Sequence, residues 1–356
     1  PLLLERSQYI VELGPGSGKD GGTIMYSGKT KDYPCHQTSI SELDLKVGLS
    51  GKGLHIKGAC ANNLQNIDLV INSGILTAIT GVSGSGKTSL LDKVIYGSQA
   101  SGKPVFCKEI EGFENFDGFI YIEQPVPGKG YSATVGNRLK LSEQLARLFA
   151  GFDKSKSCGF KTSHFINGSR EGRCPDCEGT GESKVSLDFF SDVSYPCERC
   201  NGTGFRDDIL EITFEGKSIY DALQIPFSEL QTFFGNCFKG KHDNHVMQSA
   251  ELMIKTGLGH LTCGRTLQTL STGELQRLKL VAGLSSKTGT NNIILLDEPT
   301  GGLHPKDVYK LLILFKELIA EGNTIVCVTH EPLLLEAASA VIELGPGGGS
   351  KGGKII

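Results

Sequence analysis

The chain has 356 residues, a length that allows two or three domains and a sizeable buried core. Its formal net charge of −3 excludes an overall basic surface, so any surface that binds nucleic acid would have to be local. The sequence has no signal peptide and no apolar run near the roughly 18 residues of a membrane span, and we therefore expect a cytoplasmic protein with no membrane partner.

The chain opens with a segment that recurs near its other end. Residues 10–16 read Ile-Val-Glu-Leu-Gly-Pro-Gly and recur at 341–347 as Val-Ile-Glu-Leu-Gly-Pro-Gly, and a glycine pair follows both copies with the same spacing, at 21–22 and at 352–353. We interpret residues 1–30 as the closing segment of a preceding module of the same type, which predicts that the chain is a C-terminal fragment. The polar residues 31–50 then form a linker.

The next elements predict a sheet that leads into a glycine loop. Apolar residues alternate at 54–57 and 67–71, as in half-buried strands. The continuous apolar run 75–80 predicts a buried parallel strand, and a helix should follow at 86–96. The later elements are a strand at 119–123, helices at 139–150, 228–234 and 246–255, a strand at 209–214, helices from Thr272 and Lys306, and strands from Ile293, at 324–328 and at 340–344. Their alternation predicts βα units and an α/β fold.

The glycine loop has the pattern of a phosphate-binding loop. It reads Gly-Val-Ser-Gly-Ser-Gly-Lys-Thr and ends in Lys87 and Thr88. Backbone N–H groups at a helix N-terminus can bind a triphosphate, and Thr88 can ligate Mg²⁺. The candidate nucleotide-binding residues are Gly81, Ser83, Gly84, Ser85, Gly86, Lys87, Thr88 and Ser89.

Two further motifs follow in the last third of the chain. The run Leu-Ser-Thr-Gly-Glu-Leu-Gln-Arg contains Ser271 and Gly273, and the run Ile-Ile-Leu-Leu-Asp-Glu-Pro-Thr contains Asp297 and Glu298. The first run opens a helix, so its N–H groups form a second anion-binding end. Asp297 ends an apolar strand, where its carboxylate can reach Mg²⁺, and Glu298 is the candidate that polarises the attacking water.

The order of these motifs is similar to that of ABC-type ATPases. The resemblance implies that Glu298 and His330 act in ATP hydrolysis and that Gln124 links the nucleotide to an inserted domain. A single histidine such as His330 more often has a structural role than a catalytic one. A polar residue such as Gln124 is also expected in any exposed loop, whether or not it contacts a nucleotide. The resemblance also implies that the second anion-binding end completes the ATP site of another ATPase module. Thr272 stands where ABC ATPases usually have glycine, which changes how closely the backbone can approach phosphate there.

Four cysteines have the spacing of a zinc site. Cys174 and Cys177 form one Cys-x-x-Cys pair, and Cys197 and Cys200 form a second pair further along the chain. Each pair can present two thiolates on a tight turn, and the two turns can close over one Zn²⁺. Redox-active thiols are the alternative. The same knuckle occurs in DnaJ-type chaperones, which resemble this segment alone and lack an ATPase frame. The residues between the pairs should form a hairpin.

The region around the cysteines carries the candidate DNA contacts. Lys161, Arg170, Arg173 and Lys184 are the candidate contacts to phosphate. Residues 152–206 contain 8 Lys or Arg and 8 Asp or Glu, so a solvated surface explains the charges nearly as well.

From Leu54 to Ile356 the sequence resembles the second ATPase half of the UvrA family, the DNA-damage-recognition subunit of the bacterial excinuclease. The loop after Gln124 is shorter than in that family, and Lys129 is its nearest basic residue, which indicates a paralogue with altered or weaker DNA binding. The stretches that carry the resemblance are Asn-Asn-Leu-Gln-Asn-Ile at 62–67, Leu-Phe-Ala-Gly at 148–151, Gly-Arg-Cys at 172–174 and Gly-Gly-Leu-His at 301–304.

The resemblance implies a P-loop ATPase core of the ABC type that uses ATP and Mg²⁺ and recognises damaged duplex DNA in nucleotide excision repair. The core should comprise residues 51–120 and 263–356, interrupted by a signature domain at 121–262 whose zinc module lies at about 172–206. The expected partners are duplex DNA and another ATPase module, from a second copy or a preceding half, while a UvrB-like protein would bind only through that preceding half. The alternative is a nucleotide-gated scaffold or UvrA-like paralogue whose zinc module binds protein.

Overall fold

The computed structural model describes residues 7–14, 22–33, 52–123, 134–187, 190–235, 237, 244–285, 290–301, 303 and 305–356. No helix within these ranges is long and apolar enough to cross a membrane. The chain forms two compact units. Unit 1 comprises Pro1–Lys31, Pro127–Ile254 and Leu258–Leu270, and unit 2 comprises Asp32–Val126, Lys255–Gly257 and Ser271–Ile356. Gln124, Lys129 and most of the predicted linker lie outside the described residues.

The secondary structure alternates between strands and helices through most of the chain. The strands are β1 (Tyr9–Gly14), β2 (Thr23–Lys29), β3 (Gly53–Ala59), β4 (Ile67–Asn72), β5 (Leu76–Gly81), β6 (Glu109–Glu111), β7 (Gly118–Ile122), β8 (Glu182–Leu187), β9 (Phe190–Pro196), β10 (Thr213–Phe214), β11 (Lys217–Ser218), β12 (Asn292–Asp297), β13 (Thr324–Val328), β14 (Ala340–Gly345) and β15 (Lys354–Ile355). The helices are α1, which joins Lys87–Ser89, the π-helical Leu90–Tyr96 and Gly97–Ser101, then α2 (Val135–Arg138), α3 (Leu141–Ala150), α4 (Asp153–Ser157), α5 (Asp207–Leu210), α6 (Ile219–Leu223), α7 (Phe227–Phe234), α8 (Asn244–Lys255), α9 (Thr272–Ser285), α10 (Pro305–Ala320) and α11 (Pro332–Ala337).

Unit 2 contains a six-stranded sheet of order β15-β14-β5-β13-β12-β7. Its strands are parallel except for β15, which pairs antiparallel with β14. Every residue of β12 is buried, which is the pattern of a strand covered on both faces. Because parallel strands end at the same edge, the sheet brings the loop after β5 close to the residues that follow β12 and β13.

A second, antiparallel sheet of order β4-β3-β6 completes the core of unit 2. Its buried residues, among them Ile56, Leu69 and Ile71, join one apolar cluster with Leu90 of α1 and Leu295 of β12. Burial of this cluster fixes α1 against the sheet, and α1 begins directly after the glycine loop. The position of that loop therefore follows from the packing of the core.

Unit 1 contains short helices and three hairpins. The α3 helix packs against α6 and against a 3₁₀ helix at Thr162–Phe165. The hairpins are β1-β2, β8-β9 and β10-β11. The pairs Leu13↔Ile24 and Gly14↔Thr23 have the same register as Leu344↔Ile355 and Gly345↔Lys354, their counterparts in the second copy of the sequence repeat. The repeat in the sequence is thus also a repeat in structure.

Most predicted elements are present, and one is wrong. The predicted strand at 209–214 is instead the helix α5 followed by the two-residue strand β10. Asp207 and Asp208 occupy the first turn of α5, where carboxylates interact favourably with the helix dipole. Glu215 and Gly216 both have positive φ, as a tight two-residue hairpin turn requires, and this turn ends β10 early.

Candidate functional site

The glycine loop joins β5 to α1 and depends on glycine at two crowded positions. Gly81 has φ +134°, and a Cβ there would collide with the carbonyl oxygen of Leu344 on the neighbouring strand. Gly86 has φ +103°, and a Cβ would lie 2.7 Å from Leu64 Cδ2. Lys87 Nζ donates to the carbonyl oxygens of Gly81 at 2.7 Å and of Val82 at 2.9 Å. The amine therefore lies folded over the loop, at the position from which it can bind phosphate.

A pocket of about 230 Å³ surrounds this loop. It is lined by Asn62, Asn63, Ser83, Gly84, Gly86, Lys87, Thr88, Ser89, Glu298 and His330. The loop residues and the two residues predicted to act in hydrolysis thus share one pocket. Asn62 and Asn63 also line it and were not among the predicted nucleotide-binding residues. Asn62 Nδ2 donates to Ser89 Oγ at 2.9 Å, and Asn63 Nδ2 donates to the Gly84 carbonyl at 2.8 Å.

Asp297, next to Glu298 in sequence, is suited to hold a cation. It is 2% exposed, and its Oδ1 is a buried oxygen with no hydrogen-bond partner among the described residues. Burial raises the pKa of Asp297, whereas the neighbouring Thr88 hydroxyl and the charge of Lys87 oppose that rise. An unpaired buried carboxylate oxygen beside a threonine hydroxyl is the donor set that Mg²⁺ prefers. These residues therefore fit Mg²⁺.

Glu298 is held in an unusual backbone conformation next to His330. Its φ is +52°, and the Gln276 amide donates to the carbonyl oxygens of Asp297 and Glu298 at 3.3 Å each. Its Oε1 lies 3.3 Å from His330 Nε2. Burial raises the pKa of Glu298, and His330 and Lys87 partly offset that rise. Burial also lowers the pKa of Lys87, against the attraction of Glu298 and Asp297. A carboxylate with a raised pKa is a stronger base for a water molecule.

The predicted second anion-binding end, at Ser271 and Gly273, is the N-terminus of helix α9. Ser271 Oγ accepts from the Glu274 N–H at 3.3 Å, and Glu274 Oε2 accepts from the Ser271 N–H at 2.8 Å. This reciprocal capping leaves Thr272 exposed and Gly273 buried at the start of α9. Among the described residues that line the phosphate-loop pocket, none comes from this helix start. The two nucleotide-binding motifs of one chain therefore do not share that pocket.

The four cysteines of unit 1 form a compact, buried cluster. Their sulfur atoms all lie within 4.8 Å of one another, and Cys177 Sγ is 3.7 Å from Cys200 Sγ. A disulfide would require about 2.05 Å. Four thiolates at about 2.3 Å from a tetrahedral Zn²⁺ would be about 3.8 Å apart. The spacing of the sulfurs therefore fits zinc.

The two knuckles are equivalent in their hydrogen bonds. The N–H of Gly181 donates to Cys177 Sγ and that of Gly204 to Cys200 Sγ, each at 3.3 Å. Each knuckle also accepts a backbone hydrogen bond of 2.8 Å from the first cysteine of the other. The N–H of Cys200 holds the pKa of Cys197 down at about 7, whereas burial raises the pKa of Cys200. A bound cation would favour the thiolate form of all four. The predicted hairpin between the pairs is confirmed as β8-β9.

Four arginines line a pocket of about 510 Å³ beside the four-cysteine cluster. They are Arg170, Arg173, Arg199 and Arg206. The last two were not among the residues predicted to bind DNA, because they lie on the second knuckle and are distant in sequence. Lys161 is exposed but is not among the lining residues, and Lys184 lies on β8 opposite Ser194.

Acidic neighbours accompany three of these arginines. The ion pairs are Arg173–Glu178 at 3.6 Å, Arg199–Asp176 at 2.9 Å and Arg206–Asp208 at 2.5 Å. Exposed pairs of this kind contribute about 0–1 kcal/mol, so phosphate groups can compete for the guanidinium groups. The pocket can therefore bind an anion despite the balanced local charge.

The parallel sheet, the phosphate loop, the helix start after Leu270 and the Asp-Glu pair define an ATPase of the ABC type. Residues 262–336 match a family model described as "AAA domain, putative AbiEii toxin, Type IV TA system". The chain is 34% identical to the UvrABC system protein A of Staphylococcus aureus (strain COL) over 370 residues, which are 99% of this chain and 38% of that protein. It is also 34% identical to the UvrABC system protein A of Aquifex aeolicus over 377 residues, which are 100% of this chain and 40% of that protein.

A solved structure agrees with these relatives. The crystal structure of UvrA2 from Deinococcus radiodurans matches with a TM-score of 0.83 and 30% identity, over 99% of this chain and 44% of that one. The chain is a homologue of the UvrA proteins, with their ABC ATPase fold. It spans about two fifths of the length of the curated relatives it matches, namely 38% and 40%.

Proposed function

We propose that this chain binds ATP with Mg²⁺ in the pocket of the phosphate loop and hydrolyses it. The proposal rests on one observation. A set of residues expected to bind or hydrolyse ATP lies together at one edge of the sheet, namely Lys87, Thr88, Asp297, Glu298 and His330. Lys87 and the loop N–H groups would bind the phosphates, and Thr88 and Asp297 would hold Mg²⁺, which neutralises phosphate charge. Glu298 would accept a proton from the attacking water while His330 orients it.

The site is completed, in this proposal, by another ATPase module. The helix start at Ser271 and Gly273 would face the γ-phosphate held by the loop of a second module, and this would couple hydrolysis to the approach of the two modules. The separation of α9 from the pocket's lining supports this assignment. Gln124 is proposed to link the nucleotide to the inserted domain, and residues 121–262 are proposed as that insertion, which interrupts the ATPase core.

We further propose that the chain acts in the cytoplasm on duplex DNA, with a preference for damaged DNA, as a subunit of nucleotide excision repair. Homology to UvrA supports this role, and the arginine pocket at the zinc centre offers a surface for the DNA backbone. Zn²⁺ would hold the two knuckles together, which positions Arg170 and Arg173 from the first and Arg199 and Arg206 from the second.

One experiment tests these proposals together. ATP hydrolysis and DNA affinity are measured for the purified chain, using a 50-base-pair duplex with or without one bulky adduct. We expect ATP turnover and tighter binding to the damaged duplex, with the affinity for both duplexes falling as salt is raised. Absence of turnover even at high chain concentration, where a second copy can complete the site, would refute the ATPase assignment. Absence of DNA binding at low salt would refute the repair role.

A further inference from the structure

The glycine-rich segment after β14 lies against the phosphate loop. Residues 345–353 read Gly-Pro-Gly-Gly-Gly-Ser-Lys-Gly-Gly, and we call them the terminal glycine loop. The N–H of Gly349 donates to the Gly84 carbonyl at 3.1 Å. The same Gly84 carbonyl accepts from Asn63 Nδ2 at 2.8 Å. The carbonyl at the centre of the phosphate loop is thus held from two sides.

Two glycines of this segment are not required by their backbone conformation. Gly348 has φ −95° and Gly352 has φ −99°, values that any residue can adopt. Glycine is instead required by space at these positions. A Cβ at Gly348 would lie 2.6 Å from the Ser83 carbonyl oxygen. A Cβ at Gly352 would collide first with the Gly347 carbonyl oxygen of the same loop and would lie 3.1 Å from Ser85 Cα. The obstacle at Gly348 belongs to the backbone of the phosphate loop, which cannot move aside as a flexible side chain can.

A third contact fastens the terminal glycine loop to the segment after β3. Gln65 Nε2 donates to the carbonyl oxygens of Ser350 at 3.0 Å and Gly352 at 2.8 Å. The backbone N–H of Gln65 donates to the carbonyl oxygen of Gly353 at 2.9 Å. Gly353 has φ +81°, and a Cβ there would collide with the carbonyl oxygen of Asn63. The three segments are therefore held together by close backbone contacts and by the side-chain amide of Gln65.

We propose that Gly348 is a positioning residue of the nucleotide site. Its close approach to the Ser83 carbonyl, beside the hydrogen bond from Gly349 to Gly84, holds both carbonyl groups away from the phosphates and keeps the loop's N–H groups directed towards them. Peptide planes are rigid, so a carbonyl that turns also turns the N–H of the next residue. A shift of about 1 Å in groups that bind phosphate can cost about a hundredfold in activity. This inference rests on the proposed ATP site and explains why the glycine motif follows the last parallel strand.

Gly348→Ala tests the proposal, because it adds one methyl group directed at the Ser83 carbonyl while φ stays in an allowed region. ATP affinity is measured with Mg²⁺ by calorimetry, and hydrogen exchange of amides 83–88 is measured without nucleotide. We expect the dissociation constant for ATP to rise about tenfold or more and exchange at 83–88 to accelerate, with the thermal midpoint of the nucleotide-free chain unchanged. Ser350→Ala, an exposed side chain of the same loop, is the matched control and should bind ATP as the unmodified chain does.

Three outcomes would overturn the proposal. The first is wild-type ATP affinity in Gly348→Ala, and the second is unchanged hydrogen exchange at amides 83–88. The third is a fall in the thermal midpoint with faster exchange throughout unit 2, which would show that Gly348 serves the packing of the whole unit and not the phosphate loop in particular. If Gly348→Ala does not fold, Gln65→Ala decides, since it removes the amide donor without adding bulk, and it should weaken ATP binding in the same way. If the unmodified chain fails to bind ATP, the proposed function fails, and the exchange comparison still decides the role of the loop.

Discussion

Glu298 Oε1 lies 3.3 Å from His330 Nε2, although the two residues follow different strands of the parallel sheet. The β12 and β13 strands are neighbours, so the residues after them meet at one edge. Glu298 is 27% exposed at its side chain and His330 is 50% exposed, which leaves both able to contact a substrate water. The pair is therefore placed to activate a water molecule.

Replacing Glu298 with Gln should leave ATP binding intact and slow hydrolysis about 10²- to 10⁴-fold. The phosphate loop and Asp297 remain, but the water loses the carboxylate that accepts its proton. Phosphate release under single-turnover conditions measures the effect. Glu343→Gln, an exposed carboxylate on β14, is the control. Wild-type turnover in the Glu298 variant would show that another group acts as the base.

Replacing Asp297 with Asn should stabilise the nucleotide-free chain, and by more at pH 7 than at pH 4. Burial raises the pKa of Asp297 above its ordinary value of 3.8, so the folded state binds this proton more tightly than the unfolded state. The resulting stabilisation is full below about pH 3.8 and is lost as pH rises through the raised pKa. Asn stays neutral and avoids that loss.

Thermal midpoints at the two pH values measure this effect, with the exposed Asp117→Asn as control. The Asp297 variant should also lose the rise in midpoint that Mg²⁺ and ATP give together. A midpoint difference that is the same at both pH values would contradict the buried, ionised carboxylate.

One Zn²⁺ per chain should be held by the four-cysteine cluster. Metal binding is expected to contribute on the order of 10 kcal/mol to the folding of the knuckles. Cys177→Ser should therefore lose the metal and lower the thermal midpoint, while Cys158→Ser, an exposed thiol, should change neither. Elemental analysis of the purified chain measures the metal. Less than a tenth of an equivalent of zinc in protein purified without chelators would refute the assignment.

Arg170→Ala and Arg199→Ala should each weaken duplex binding and reduce its salt dependence. Each phosphate contact that is lost should lower the slope of log K against log salt by about 0.9. A fluorescent duplex titrated at four salt concentrations gives both quantities. Arg147→Ala is the matched control, because Arg147 is an exposed residue of unit 1 whose partner is Glu143 on the same helix. If the control and test variants lose affinity equally, the pocket is not the DNA site.

Mixing two inactive variants should restore ATP hydrolysis. Lys87→Ala removes the phosphate-loop amine, and Ser271→Arg blocks the helix start that is proposed to face another module. In a head-to-tail pair, each ATP site uses Lys87 of one chain and Ser271 of the other. A pair made of one variant alone therefore has both sites damaged. A mixed pair has one site with both residues intact and one site with both replaced. With equal amounts, about a quarter of wild-type activity is expected. No recovery at concentrations where the wild type is active would show that one chain completes its own site.

The sequence by itself determined the local chemistry of this protein. The phosphate loop, the two cysteine pairs and the strand before Asp297 were recognisable because each depends on residue types at short, fixed spacing. The repeat at 341–347 was also visible, and the parallel sheet followed from the alternation of apolar strands and helices. The prediction failed at 209–214, where Asp207 and Asp208 favour a helix start and the turn at Glu215 shortens the strand.

The tertiary structure alone decided which distant groups meet. It placed Glu298 against His330, joined Arg199 and Arg206 to the arginines of the other knuckle, and brought Gly348 against the carbonyl of Ser83. Such contacts join residues far apart along the chain, and they follow from strand order and from burial of the apolar core. Because those forces act on the whole chain at once, no local pattern in the sequence reports which loops they bring together.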